Sequence, residues 1–218
     1  GTAMISEPVN KPDVQAVWRN YEIMRPSSRE NSRLLTLGKS DRNSIFGFSA
    51  GRTWGDFAVY NLYNSDKNKS ADITLDFGDA GLPSGTRCAV YDFWENKVVG
   101  YATDSFIGKN IPKNGSLLLR FTPLIGDSPQ LVGSNLHLSI GATEIEKVYT
   151  TSKSIKIILS SAGAQAGDLF FHSTKAIEAG STENCLISSV QELGDNLWKV
   201  SVKERIWDSS QLIVLSNK

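Results

Sequence analysis

Several familiar routes to function are closed by what this chain lacks. Of its 218 residues only two are cysteine, Cys88 and Cys185, and only two are histidine, His137 and His172. The cysteines lie far apart with no CxxC spacing, which leaves no redox or zinc motif. Each sits in an apolar stretch, "TRCAVYDF" and "ENCLISS", and reads as a buried free thiol. The histidines lack HxxxH or HExxH spacing, so neither a metal nor a cofactor is expected. A GxSxG nucleophile elbow and a GxxxxGK[ST] phosphate loop are both absent. Charge of one sign is not in excess, with Lys plus Arg at 23 and Asp plus Glu at 23. That balance gives no electrostatic reason to expect nucleic acid or an anionic membrane as partner, and no block of like charges forms a tail. The longest apolar runs, such as "LIVL", are far too short to span a bilayer. The start "GTAMISEP" lacks the basic and apolar segments of a signal peptide. Gly1 reads as the remnant of a tag, so a longer native chain is expected.

Helical pattern is scarce too. "NKPDVQAVWRNYEIM" is the one good helix, with Pro12 suited to the first turn and Asn10 or Lys11 to the cap. Val14, Val17, Trp18 and Tyr21 fall at i, i+3, i+4 and i+7 and line one face. Arg25-Pro26 ends it, because the residue before proline resists the α region.

What is abundant is strand pattern. "DITLDF" alternates, with Ile73, Leu75 and Phe77 facing one way and Asp72, Thr74 and Asp76 the other, as in a strand with one wet face. "DFAVYNLY" is apolar on both faces and reads as a central strand. "SLLLRF" groups Leu117, Leu119 and Phe121. "NSDKNKS", "GDAGLPSG" and "PKNG" punctuate these runs. A second series follows "TPLIGDSPQ": "SIKIILS" alternates Ile155, Ile157 and Leu159, "LWKVSV" aligns Trp198, Val200 and Val202, and "QLIVLS" closes the chain, while "SAGAQAG" and "EAGSTEN" read as polar connections. No helix separates the strands, so βαβ units are out. Short strands with frequent turns point to an all-β fold of two antiparallel Greek-key β-sandwich domains preceded by one short helix. The expected division is 1–30 for the helix and linker, 31–127 for the first sandwich and 128–218 for the second. A chain of this length buries roughly 70% of its unfolded surface, so its core needs no disulfide or metal.

Candidate chemistry is thin. "NLHLSI" read as a strand puts Leu136, Leu138 and Ile140 on one face and His137 with Ser139 on the other. His137 is then a hydrogen-bonded structural residue near the junction, with Gly141 supplying a bend. Five tryptophans invite a sugar-stacking reading. Trp54 in "GRTWGD", Trp94 in "DFWENK" and Trp207 in "RIWDSS" sit near strand ends or hairpin tips, where an exposed indole could form a carbohydrate platform. The competing reading is that they cap sandwich cores, with the indole N–H satisfied at the rim.

The order of motifs in "GDFAVYNLYNSDKNKSADITLDFGDAGLPSGTRCAVYDFWENKVVG", followed by "IPKNGSLLLRFTP", is specific enough to be compared. It resembles the C-terminal β-sandwich that follows the catalytic barrel in α-galactosidases of clan D, glycoside hydrolase families 27 and 36. "PQLVGSNLHLSIGATEIEKV" resembles the continuation in some bacterial members. The resemblance runs over about Trp54–Val148. It implies a non-catalytic accessory region that packs on and stabilises a catalytic barrel of the same parent chain, in a secreted or periplasmic setting or elsewhere. The alternative is a carbohydrate-binding module. The family's catalytic aspartates lie in the barrel, so no catalytic residue carries over. Lys39-Ser40-Asp41 resembles the family's Lys-x-Asp nucleophile motif, but it falls in a turn-rich stretch. A (β/α)₈ barrel also takes about 250 residues, more than the chain has.

Overall fold

The computed structural model describes residues 19–25, 30–36, 43–126, 128–151, 154–206 and 211–217. Of the expected N-terminal helix, the turn at residues 19–22 is helical; Val14, Val17 and Trp18 lie outside the described residues. All else is strand, turn or loop, and every strand pair is antiparallel. The strands of the first group are β1 (Arg33–Leu34), β2 (Asn43–Ala50), β3 (Phe57–Asn64), β4 (Ala71–Asp76), β5 (Arg87–Asp92), β6 (Lys97–Thr103), β7 (Ser105–Ile111) and β8 (Ser116–Pro123). Those of the second are β9 (Gln130–Ser134), β10 (Ile145–Thr150), β11 (Ser154–Leu159), β12 (Gly167–His172), β13 (Ile177–Glu183), β14 (Leu186–Gly194), β15 (Leu197–Lys203) and β16 (Gln211–Asn217).

In the first group a six-stranded sheet, β1-β2-β3-β8-β5-β6, is faced by the pair β4-β7. The chain leaves the large sheet after β3, returns for the β5–β6 hairpin, leaves again for β7 and comes back as β8. The alternation in "DITLDF" produces this layer: Ile73, Leu75 and Phe77 are buried against Tyr60, Leu62, Val90, Leu119 and Phe121. In the second group, sheet β10-β11-β16-β13 packs on sheet β14-β15-β12-β9. Ile155, Ile157 and Leu159 there meet Leu169, Phe171, Val200 and Val202. The all-β sandwich class read from the sequence is what the chain adopts. One connection read differently from its structure: "EAGSTE" lies within β13. It is an edge strand with a register shift between Ala179 and Thr182, and its small polar residues carry no alternation to mark it.

No described strand of residues 33–123 pairs with one of residues 130–217. Side chains join the groups instead. The six-stranded sheet has a second face, and register places its residues in rows. Phe48, Val59, Arg120 and Tyr91 form one row; Phe46, Asn61 and Leu118 form the next. The first row is covered by Val132, Ile140, Ala164 and Phe170 of the second group. Only part of the second row is.

Candidate functional site

Two places on this second face concentrate polar or exposed groups. The first is the junction. Arg120 projects from β8 and is fully buried. Its Nη1 donates to the Ile140 carbonyl at 2.6 Å, Nη2 to the Leu131 carbonyl at 3.0 Å, and Nε to Thr122 Oγ1 at 2.9 Å. The guanidinium lies 3.9 Å from the Phe57 ring centre and 5.7 Å from that of Trp54. Burial pulls it down to about 9, while the Glu144 carboxylate works to raise it; it therefore stays charged at neutral pH. The fork geometry of arginine lets one side chain hold two strands' worth of carbonyls.

The Leu131 carbonyl belongs to β9 and the Ile140 carbonyl to the segment between β9 and β10, which contains His137. The strand expected over 135–140 is instead a series of turns. Ile140 has φ 46° and Gly141 φ 106°, and the Leu138 N–H is drawn out to the Ile23 carbonyl at 2.9 Å. Leu136, His137, Ser139 and Ile140 are all buried, so no wet face exists. His137 Nδ1 accepts the Ser139 N–H at 3.0 Å and lies 2.8 Å from Ser139 Oγ. Buried Glu144 closes the loop, its carboxylate accepting the Gly141 N–H at 2.7 Å and the Ser139 hydroxyl at 3.2 Å. A Cβ at Gly141 would fall onto Arg120 Nη1, so this glycine answers to close approach as well as to φ. Arg205 does for Ser160, Ala162 and Ala164 what Arg120 does here, donating to all three carbonyls at 2.6–2.9 Å. At the rim, Tyr91 donates its hydroxyl to Asn96 Oδ1, and Asn96 Nδ2 donates to Asp168 Oδ2 at 2.7 Å. These groups satisfy one another. Among the described residues no three of His, Cys, Asp and Glu are grouped to hold a metal ion.

The second place is the uncovered row. A groove of about 460 Å³ is lined by Phe46, Asn61, Leu118, Ser116 and Trp94, with Leu138 where it meets the junction. Trp94 is 58% exposed. The structure thus separates the three tryptophans considered for sugar. Trp94 lies on the surface. Trp54 is half-buried, stacked on Phe57 at 5.5 Å between ring centres and packed at the junction. Trp207 lies outside the described residues, as does Lys39-Ser40-Asp41. The sequence reading missed Arg120 and Asn61. The local signal was slight: each is a polar residue between two apolar neighbours in its strand. Both cysteines are buried and free.

Residues 49–121 match the family model of the alpha galactosidase C-terminal beta sandwich domain. Among solved structures, a GH27 β-L-arabinopyranosidase from Geobacillus stearothermophilus aligns at 14% identity and TM-score 0.42, over 54% of this chain and 25% of that one. Alpha-galactosidase I from Mortierella vinacea aligns at 20% identity and TM-score 0.35, over 41% and 22%. An isomalto-dextranase from Arthrobacter globiformis T6 aligns at 12% identity and TM-score 0.29, over 81% and 34%. The aligned region is thus no more than about a third of any of these three chains. No curated protein matches.

Proposed function

We propose that this chain is a non-catalytic C-terminal accessory region of an α-galactosidase-like glycoside hydrolase, packing on and stabilising a catalytic barrel carried elsewhere in the parent chain. The family match over residues 49–121 carries this reading. The buried polar groups favour it too, because they are engaged in holding the fold. Asp92 accepts the Trp94 and Glu95 N–H groups of a hairpin turn, and Glu144 accepts within its own loop. A glycosidase needs two carboxylates set across a sugar bond, one with a raised pKa and both open to substrate. On this reading residues 1–30 are an N-terminal helix and linker, 31–127 the family sandwich and 128–218 a second sandwich built onto its outer face.

The test is incubation of this chain with chromogenic α-galactosides and other aryl glycosides. Turnover should not exceed buffer. Turnover that disappears when one Asp or Glu is replaced would overturn the reading. In the parent enzyme, deleting the region should lower the melting temperature of the catalytic domain and leave its chemistry intact.

A further inference from the structure

The uncovered row of the six-stranded sheet has features that an accessory role does not use. Phe46 is 41% exposed and Trp94 58% exposed, and both line one continuous groove. Trp94 is exposed yet held. Its ring stands edge-on to buried Phe93, centre to centre 5.0 Å at 86°, and its backbone N–H is fixed by Asp92 Oδ1 at 2.9 Å. Between the two aromatics lie Asn61 and Ser116, whose side chains make no hydrogen bond among the described residues. Among the described residues no charged side chain lines the groove.

We propose that this groove is a binding site for a neutral saccharide, with Trp94 and Phe46 as stacking surfaces and Asn61 and Ser116 as hydrogen-bonding groups. A sugar ring is apolar on its C–H faces and carries a rim of hydroxyls that both donate and accept. Aromatic faces match the first, and a carboxamide, which also donates and accepts, matches the second. The lack of charge selects against acidic sugars and phosphorylated ligands. The volume lies within the range of about 300–1,000 Å³ typical of small-ligand sites. Because Trp94 is already immobilised, little side-chain entropy is lost on binding. An apolar protein face laid over the same groove would leave Asn61 and Ser116 buried without partners, which is unfavourable. A saccharide supplies those partners.

The experiment is affinity gel electrophoresis of this chain in gels containing galactomannan, dextran or arabinogalactan, with tryptophan fluorescence titration alongside. At least one polysaccharide should retard the wild type and shift its fluorescence. Trp94→Ala should abolish retardation. Phe46→Ala and Asn61→Ala should each weaken it about tenfold. All three should keep the wild-type circular dichroism spectrum. Absence of retardation with every polysaccharide overturns the proposal, and so does retardation that a folded Trp94→Ala retains. A Trp94→Ala that loses affinity for the separately expressed catalytic domain while sugar retention is unchanged also overturns it, by making the groove a docking face. The measurement uses this chain alone, so a negative result leaves the accessory role standing, and turnover of aryl glycosides would sink that role without touching this site.

Discussion

The two faces of the six-stranded sheet are built on opposite plans. The inner face is mainly apolar and supplied by the first group of strands alone: Tyr60, Leu62, Val90, Leu119 and Phe121 meet Ile73, Leu75, Phe77 and Ile111, with Ile45 beside them. The outer face is apolar at Phe48, Val59 and Tyr91, but its covering residues Val132, Ile140 and Phe170 come from later in the chain. At its centre is the Arg120 guanidinium bound to backbone carbonyls of that later segment. The inner face is held chiefly by burial, and its few polar groups, such as the Tyr60 hydroxyl and the Asn64 carboxamide, are bonded within the same group of strands. The outer face is a contract between two halves, written in directional bonds, and neither half satisfies it alone.

Cutting the chain at the proposed boundary should have the largest effect. Residues 31–127 made alone would expose Phe48, Phe57, Val59, Ala89 and Tyr91, a patch that soluble monomers avoid. The fragment should aggregate or bind a hydrophobic dye strongly, whereas the intact chain should unfold in one calorimetric transition. Two well-separated transitions in the intact chain would break the comparison, since they would mean that the outer face contributes little coupling.

Single substitutions sharpen it. Phe121→Ala opens a hole in the inner face and should cost about 3–5 kcal/mol in urea unfolding, with the coupling between halves kept. Arg120→Met should cost a similar amount, about 3–5 kcal/mol, by stranding Glu144 and the Ile140 and Leu131 carbonyls. Its distinguishing mark is loss of cooperativity, seen as a lower urea m-value or a second transition. If Arg120→Met is as stable and as cooperative as wild type, the guanidinium is not what couples the halves.

These two residues also show how far the sequence could be read. Phe121 was legible, because "SLLLRF" places it with Leu117 and Leu119 and period-2 alternation marks the buried face. By the same alternation Leu118 and Arg120 fall on the face that a half-buried strand turns to water. Nothing local says that another hundred residues will cover that face, so Arg120 passed unremarked and Asn61 with it. The turn at 135–141 was opaque for a related reason. Its alternating apolar residues fit a strand, but the atoms that shape it, the Ile23 carbonyl and the Arg120 guanidinium, come from elsewhere in the chain. Trp54 likewise looked like a rim residue until Phe57 and Arg120 were placed beside it. Trp94 kept the exposure its hairpin position suggested.

His137 tests the junction loop without touching the coupling bonds directly. His137→Ala leaves the Ser139 N–H buried without its acceptor, and should lower stability by about 1–3 kcal/mol. Zinc-dependent melting of the wild type that vanishes in the variant would show that the residue is a ligand and not a brace.

The smallest effect is expected at the far rim of the junction, where His172 of β12 meets Tyr101 of β6. Their rings are 6.0 Å apart at 84°, and the Arg87 guanidinium lies 3.9 Å from the Tyr101 ring centre. Burial first, and the Arg87 charge second, hold the His172 imidazole below its ordinary pKa of 6.5. The folded protein therefore favours neutral His172, while the unfolded chain takes up a proton first as pH falls. The resulting stability is fully present above the unfolded pKa and is lost as pH falls from there through the folded value. Wild type should lose melting temperature between pH 7.5 and about pH 5, and His172→Gln, which cannot take the proton, should lose less over the same window. Equal slopes would mean that His172 is as free to charge in the folded protein as in the unfolded chain, and that the contact between the halves ends short of this rim.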